Sequence, residues 1–160
     1  LRQIAKDRIK GKRKALVMAT HHPPFTAGGH SPSPNMLADI DGLCQDAGVM
    51  PDMYLSGHAH SYQRYTREVT VAGKTRQIPY LVIGTGGIGD QAVPPATGVK
   101  AGDHTYVSSF KGYGYMLVEV TAQTISGTVF QVNPNTQARK RIERFAVDLN
   151  AGTVRTLTGS

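Results

Sequence analysis

Tryptophan is absent from these 160 residues, and cysteine occurs once, as Cys44. One cysteine excludes an intrachain disulfide and any cysteine-based zinc cluster, and leaves the redox compartment open. No stretch approaches the roughly 18 consecutive apolar residues of a membrane helix, and the opening LRQIAKDRIK has no apolar signal core. The first residue is Leu1 rather than Met, so the sequence places no constraint on what precedes it. Acidic residues are scarce: 11 Asp and Glu stand against 18 Lys and Arg, a net charge of +7. Much of the excess lies in Lys6, Arg8, Lys10, Lys12, Arg13 and Lys14, and again in Arg139, Lys140, Arg141 and Arg144. Runs of this kind can follow a nucleic-acid backbone. Here no aromatic residues interleave with them as base stacking requires, so they read as a solvated helix end and hairpin.

What is present is 39% apolar and 18% charged, with 18 glycines and 9 prolines, the texture of a loop-rich and strand-rich globular chain. Leu1, Ile4, Ala5 and Ile9 recur at helical spacing before Gly11, which predicts a helix over 1–10. The run ALVMA at 15–19 predicts a short strand buried on both faces. Ser33 as N-cap and Pro34 in the first turn open a second helix, whose stripe is Met36, Leu37, Ile40, Leu43, Cys44 and Ala47 and whose stop is Gly48. DMYLS at 52–56 supplies the next strand, so strand, helix and strand form a right-handed crossover between parallel neighbours. YQRYTREVTV, AGK and TRQIPYLVIG predict a hairpin, and residues 85–112 a long functional loop. YGYMLVEVT, TISGTVFQV, RIERFAVDL and TVRTLT add strands. The expected class is α/β: a parallel βαβ unit followed by antiparallel strands, in one unit spanning 1–160.

Five of the six histidines lie between positions 21 and 60. Parallel strands joined by a crossover have their carboxyl ends on one edge of the sheet, where ligands of open α/β sheets bind. His21 and His22 follow the first strand, and His58 and His60 the second, so the topology predicts that they converge. Gly57 is expected to let the chain turn sharply beside the site, while Pro23-Pro24 holds the preceding loop extended. Neutral imidazoles in a His-x-His turn suit zinc, iron, copper and nickel. A lone histidine at a strand end is a hydrogen-bonded surface residue, but His21, His58 and His60 together point to metal. Three imidazoles also suffice for a mononuclear zinc site with an open position.

ATHHPPF at 19–25 and SGHAHSYQRY at 56–65 resemble two signature blocks of the calcineurin-like metallophosphoesterases, in the purple acid phosphatase-like branch. IPYLVIGTGG and FKGYGYMLVEV resemble the strands that follow there, and Gln63 stands where that branch more often has Glu. The resemblance implies the C-terminal half of an α/β/β/α sandwich that hydrolyses phosphate esters at two metal ions, iron, zinc or manganese. It implies that His21 and His58 bind one metal and His60 the other. A neighbouring histidine is expected to protonate the leaving oxygen, the candidates being His22 and, by its loop position alone, His30. The Asp-x-His, Gly-Asp and Gly-Asn-His blocks that supply the bridging Asp do not occur in residues 1–160. A missing half or a partner chain is therefore expected to provide them, and the half alone to expose a sheet edge and be poorly soluble.

GTGGIG at 84–89 matches the letters of a dinucleotide-binding turn, but Pro94-Pro95 cannot lie in the helix such a turn opens, so these glycines read as a tight loop near the cleft. Asp103 and His104 are further candidates to reach it. Two other functions stay open: a metal-binding fragment that hydrolyses nothing, and a basic nucleic-acid-binding module whose binding is salt-sensitive and independent of the histidines.

Overall fold

A computed structural model describes residues 1–158, two short of the full expected unit. The elements, in chain order, are α1 (Arg2–Ile9), β1 (Val17–Thr20), α2 (Pro34–Ala47), β2 (Met53–Ser56), β3 (Ser61–Val71), β4 (Lys74–Ile83), β5 (Lys100–Ala101), β6 (His104–Lys111), β7 (Tyr113–Val120), β8 (Thr124–Val132), β9 (Arg139–Asp148) and β10 (Thr153–Thr156). They build two sheets, ordered β1-β2-β4-β3-β6-β5 and β10-β9-β8-β7. In the first, β1, β2 and β4 run parallel and the remaining pairs antiparallel; the second is wholly antiparallel. The α/β class therefore stands, with the parallel crossover intact.

Local chemistry explains most boundaries. Pro34 starts α2, and Gly48 ends it in the left-handed conformation, φ 67°, with its N–H turned back to the Cys44 and Gln45 carbonyls. Ser33 occupies the N-cap without a side-chain capping bond. The β3–β4 hairpin closes through Ala72 and Gly73, both with positive φ, the geometry a two-residue turn demands. The expected loop over 85–112 is shorter, because β5 and β6 occupy its second half. HTYVSSFK gains its strand partners from β3, a tertiary choice that local sequence does not announce.

The six-stranded sheet is buried on two faces. On one, Ile40 and Cys44 of α2 pack with Tyr54, Tyr65, Ile78 and Tyr80. On the other, Met53, Tyr62 and Leu81 meet Ile125, Val129, Phe145 and Val147 of the second sheet. Among the described residues the layers are thus helix, sheet and sheet. Leu43, assigned to the apolar stripe of α2, is 62% exposed. Polar clamps fix the layers: Arg64, nearly fully buried, makes a forked pair with Glu143 at 2.6–3.0 Å, and Tyr62 Oη donates to the same carboxylate. Burial and the Glu143 charge push the Tyr62 phenol well above its usual range. Arg67 ties α2 to the strand layer through a forked pair with Asp41. At the amino ends of β1, β2 and β4, the buried Asp52 carboxylate receives Arg8 and Arg13 at 2.6 Å and Arg76 at 3.2 Å, plus the Leu16 N–H. Arg8 and Arg13 are thus half-buried, rather than part of a solvated helix end.

One expectation is overturned at β1. Val17 and Ala19 are exposed, because among the described residues β1 is an edge strand paired only with β2. In register they share a face with Met53 and Leu55, the face toward the second sheet. Val118 and Val120 of β7 likewise lie in register with Gly127 and the buried Ile125, on the inner face of their sheet, yet are 41% and 56% exposed. The inter-sheet core is therefore uncovered along two free edges. The chain passes between the sheets at Gly112 alone, φ 122°, between the last residue of β6 and the first of β7.

Replacing Asp52→Asn leaves three guanidiniums without their carboxylate and is expected to lower stability by about 3–5 kcal/mol in denaturant unfolding. By contrast, Val120→Lys is expected to cost less than about 0.5 kcal/mol while Ile125→Ala costs about 2–5 kcal/mol. A Val120→Lys loss as large as that of Ile125→Ala would show that this face is covered in solution.

Candidate metal centre

The carboxyl ends of β1 and β2 lie side by side, and their pairing continues one step further where the Gly57 N–H donates to the His21 carbonyl at 3.0 Å. Thr20 Oγ1 donates to the His22 carbonyl at 2.8 Å, fixing the chain as it leaves β1. The sharp turn after β2 falls on His58 rather than Gly57. His58 has φ 65°, while a Cβ added at Gly57 would meet only the His21 carbonyl oxygen, at an ordinary 3.9 Å. A non-glycine residue in the left-handed region is uncommon and costs on the order of 1 kcal/mol or more, a strain that clusters at functional sites.

The result is a histidine cluster at one sheet edge. His21 Nε2 and His58 Nδ1 lie 3.2 Å apart. The His22 ring lies 4.2 Å from that of His58, centroid to centroid, and the His30 ring stacks on His58 at 4.1 Å. His60 stands to one side, its ring 6.1 Å from that of His30. Desolvation, together with the positive charge that His30, His22, His21 and His60 would each carry if protonated, lowers the pKa of His58 and favours its neutral form. Of the four histidines expected to converge, His21, His22 and His58 are in ring contact, His30 joins them from the loop, and His60 lies beside His30.

Two glutamines hold this arrangement. Gln63, fully buried, accepts from the Ala27 N–H at 2.7 Å and donates to Thr26 Oγ1 and the Gly28 carbonyl, so it pins the loop that carries His30. Gln91 accepts from the His60 N–H at 2.7 Å, sets its Nε2 3.1 Å from His30 Nε2, and donates its own N–H to the His60 carbonyl. Gln91 carried no signal in the sequence: it reaches the site through the return of an irregular loop. Gly84 does match its reading as close-packed loop glycine, since a Cβ there would lie 2.0 Å from the Ala59 carbonyl oxygen. No helix follows GTGGIG, so the segment lacks the dinucleotide-binding context. Asp103 and His104 lie elsewhere: Asp103 pairs with Arg67 at 2.6 Å, and the His104 ring packs on Phe25 at 4.5 Å.

Metal fit can be judged from the donor atoms. Two imidazole nitrogens bound tetrahedrally at about 2.0–2.1 Å stand roughly 3.3 Å from one another. The 3.2 Å between His21 Nε2 and His58 Nδ1 is the length of a hydrogen bond between the two rings and is also close to that ligand spacing. A full site needs more, and among the described residues no group of three or more His, Cys, Asp or Glu side chains is arranged to hold a metal ion. The same residues contain no helix long and apolar enough to cross a membrane.

No protein-family model matches the chain, and no curated protein does. Among solved structures it is similar to one described as "GAP50 the anchor in the inner membrane complex of Plasmodium", at 16% identity and a TM-score of 0.41, covering 99% of this chain and 41% of that one. The chain thus spans less than half the length of that neighbour.

Proposed function

We propose that this chain carries the imidazole side of a metal-dependent phosphoesterase centre. The observation that carries the reading is the 3.2 Å approach of His21 Nε2 to His58 Nδ1 at the paired carboxyl ends of β1 and β2. The resemblance of ATHHPPF and SGHAHSYQRY to metallophosphoesterase blocks supports it from the sequence side. His21 and His58 would hold one ion, and His60 would serve a second beside it. Two such ions, when bound, neutralise phosphate charge and acidify water for in-line displacement. His30, stacked on His58 and within reach of Gln91, would hand a proton to the leaving oxygen, or His22 beside the same ring would do so.

Carboxylate ligands are needed to complete such a centre. We propose that they arrive on another segment or partner chain whose strands pair with β1 and cover Val17, Ala19, Val118 and Val120. The free edges and exposed inner faces support this. A non-catalytic fragment holding a single ion through His21 and His58 is the second reading, favoured because no group of three or more His, Cys, Asp or Glu side chains among the described residues is arranged to hold a metal ion.

Cobalt(II) titration followed by visible absorption is expected to give one bound ion on the isolated chain. Each of His21→Ala and His58→Ala should weaken it by more than about a hundredfold, while His60→Ala leaves it in place. Unchanged binding in both of the first two variants would remove the proposed pair. With the complementing segment present, metal-dependent hydrolysis of a phosphate monoester separates the enzyme from the inert fragment. Gln91→Ala is expected to lower that turnover by about tenfold, because it frees the His60 backbone and the His30 ring together.

A further inference from the structure

The basic run at 6–14 has a destination that the histidine centre does not use. Arg8 and Arg13 leave the run to meet Asp52, where Arg76 joins them from β4. Asp52 takes all three guanidiniums directly and Asp148 adds a second carboxylate whose charge acts on Arg13 and Arg76, so the cluster keeps a net positive charge to which Lys74 adds. Part of the guanidiniums' hydrogen-bonding capacity is unspent, although Arg8 already donates through Nη1 to the Met50 carbonyl and through Nη2 to the Lys14 carbonyl and Asp52. Arg13 and Arg76 each engage through Nη2 only, and Nε of Arg8 and of Arg13 are buried without a partner among the described residues. These groups line a cleft of about 520 Å³ whose rim carries Lys74 and whose walls include Ile9 and Val69. Burial and the neighbouring guanidinium charges hold Arg8 and Arg76 below the ordinary arginine range, so the cluster favours an anion that offsets its repulsion.

We infer that this cleft is a binding site for a phosphate-type dianion. An anion offsets the net positive charge of the cluster and Lys74, and a tetrahedral oxyanion offers several acceptors to forked guanidinium donors. The site lies at the amino ends of β1, β2 and β4. The histidines lie at the carboxyl ends, so the two are separated by the length of β2, roughly 13 Å at about 3.3 Å per residue. Nucleic acid is a poorer fit, since the cleft is local and offers no aromatic platform among its lining residues.

The test uses the whole chain freed of metal with chelator, and inorganic phosphate as the probe against sodium chloride at equal ionic strength. At about ten times its dissociation constant, phosphate is expected to raise the thermal midpoint by roughly 3–6 °C, with chloride giving no comparable rise. Arg13→Gln should abolish the shift. Lys74→Gln, at the rim, should weaken phosphate binding several-fold without moving the phosphate-free midpoint, and so decides the matter if Arg13→Gln does not fold. The His21→Ala, His58→Ala double variant should keep the full shift. An equal shift with chloride, a full shift in Lys74→Gln and Arg13→Gln, or a shift lost with the histidines instead would each overturn the site.

Discussion

A strand that is buried on both faces yet carries polar residues must find a partner for each of them, and β3 is such a strand. Tyr62, Gln63, Arg64 and Tyr65 are all buried. Alternation sends Tyr62 and Arg64 toward the second sheet and Gln63 and Tyr65 toward the loops and α2. Arg64 and Tyr62 converge on Glu143 and so fasten β3 to β9. Gln63 receives the Ala27 N–H and the Tyr65 hydroxyl on the opposite face and holds the loop bearing His30. An unpartnered charge at Arg64 would cost several kcal/mol, which makes the inter-sheet registration a consequence of one forked pair as much as of the apolar core.

The histidine edge inherits its precision from that framework. Parallel pairing of β1 with β2 sets His21 opposite Gly57, and the left-handed turn at His58 swings its ring back toward His21. Gln63 and Gln91 then supply amide hydrogen bonds from two different elements to the loops on either side. Because amides carry no charge, they hold the loops around the imidazoles without adding any fixed charge beside His58, whose pKa its surroundings already lower.

Sequence made some of this legible and concealed the rest for identifiable reasons. The apolar runs, Pro34 and Gly48 sufficed for the crossover, and the crossover sufficed to predict that His21 and His58 meet. Burial of β1 was not legible, because ALVMA reports only that apolar neighbours are wanted, not that they are present on both sides. His58 hid its strain behind Gly57, the residue to which any local rule assigns a tight turn. Gln91 and the Asp52 cluster were invisible for a shared reason: each draws on residues tens of positions apart, which charge counting and periodicity cannot connect.

The passage of the chain through Gly112 divides the molecule by contact order. Residues 113–156 form a meander in which every strand pairs with its sequence neighbour, so its pairings close short loops and need little ordering elsewhere. The six-stranded sheet is mixed: β3–β4 and β5–β6 are hairpins, but β2 pairs with β4 and β3 with β6 across intervening strands. The low-cost half of the topology is thus the C-terminal meander. On a ribosome the half that carries the histidines emerges first, and its long-range pairings acquire their covering layer only after the meander has been made.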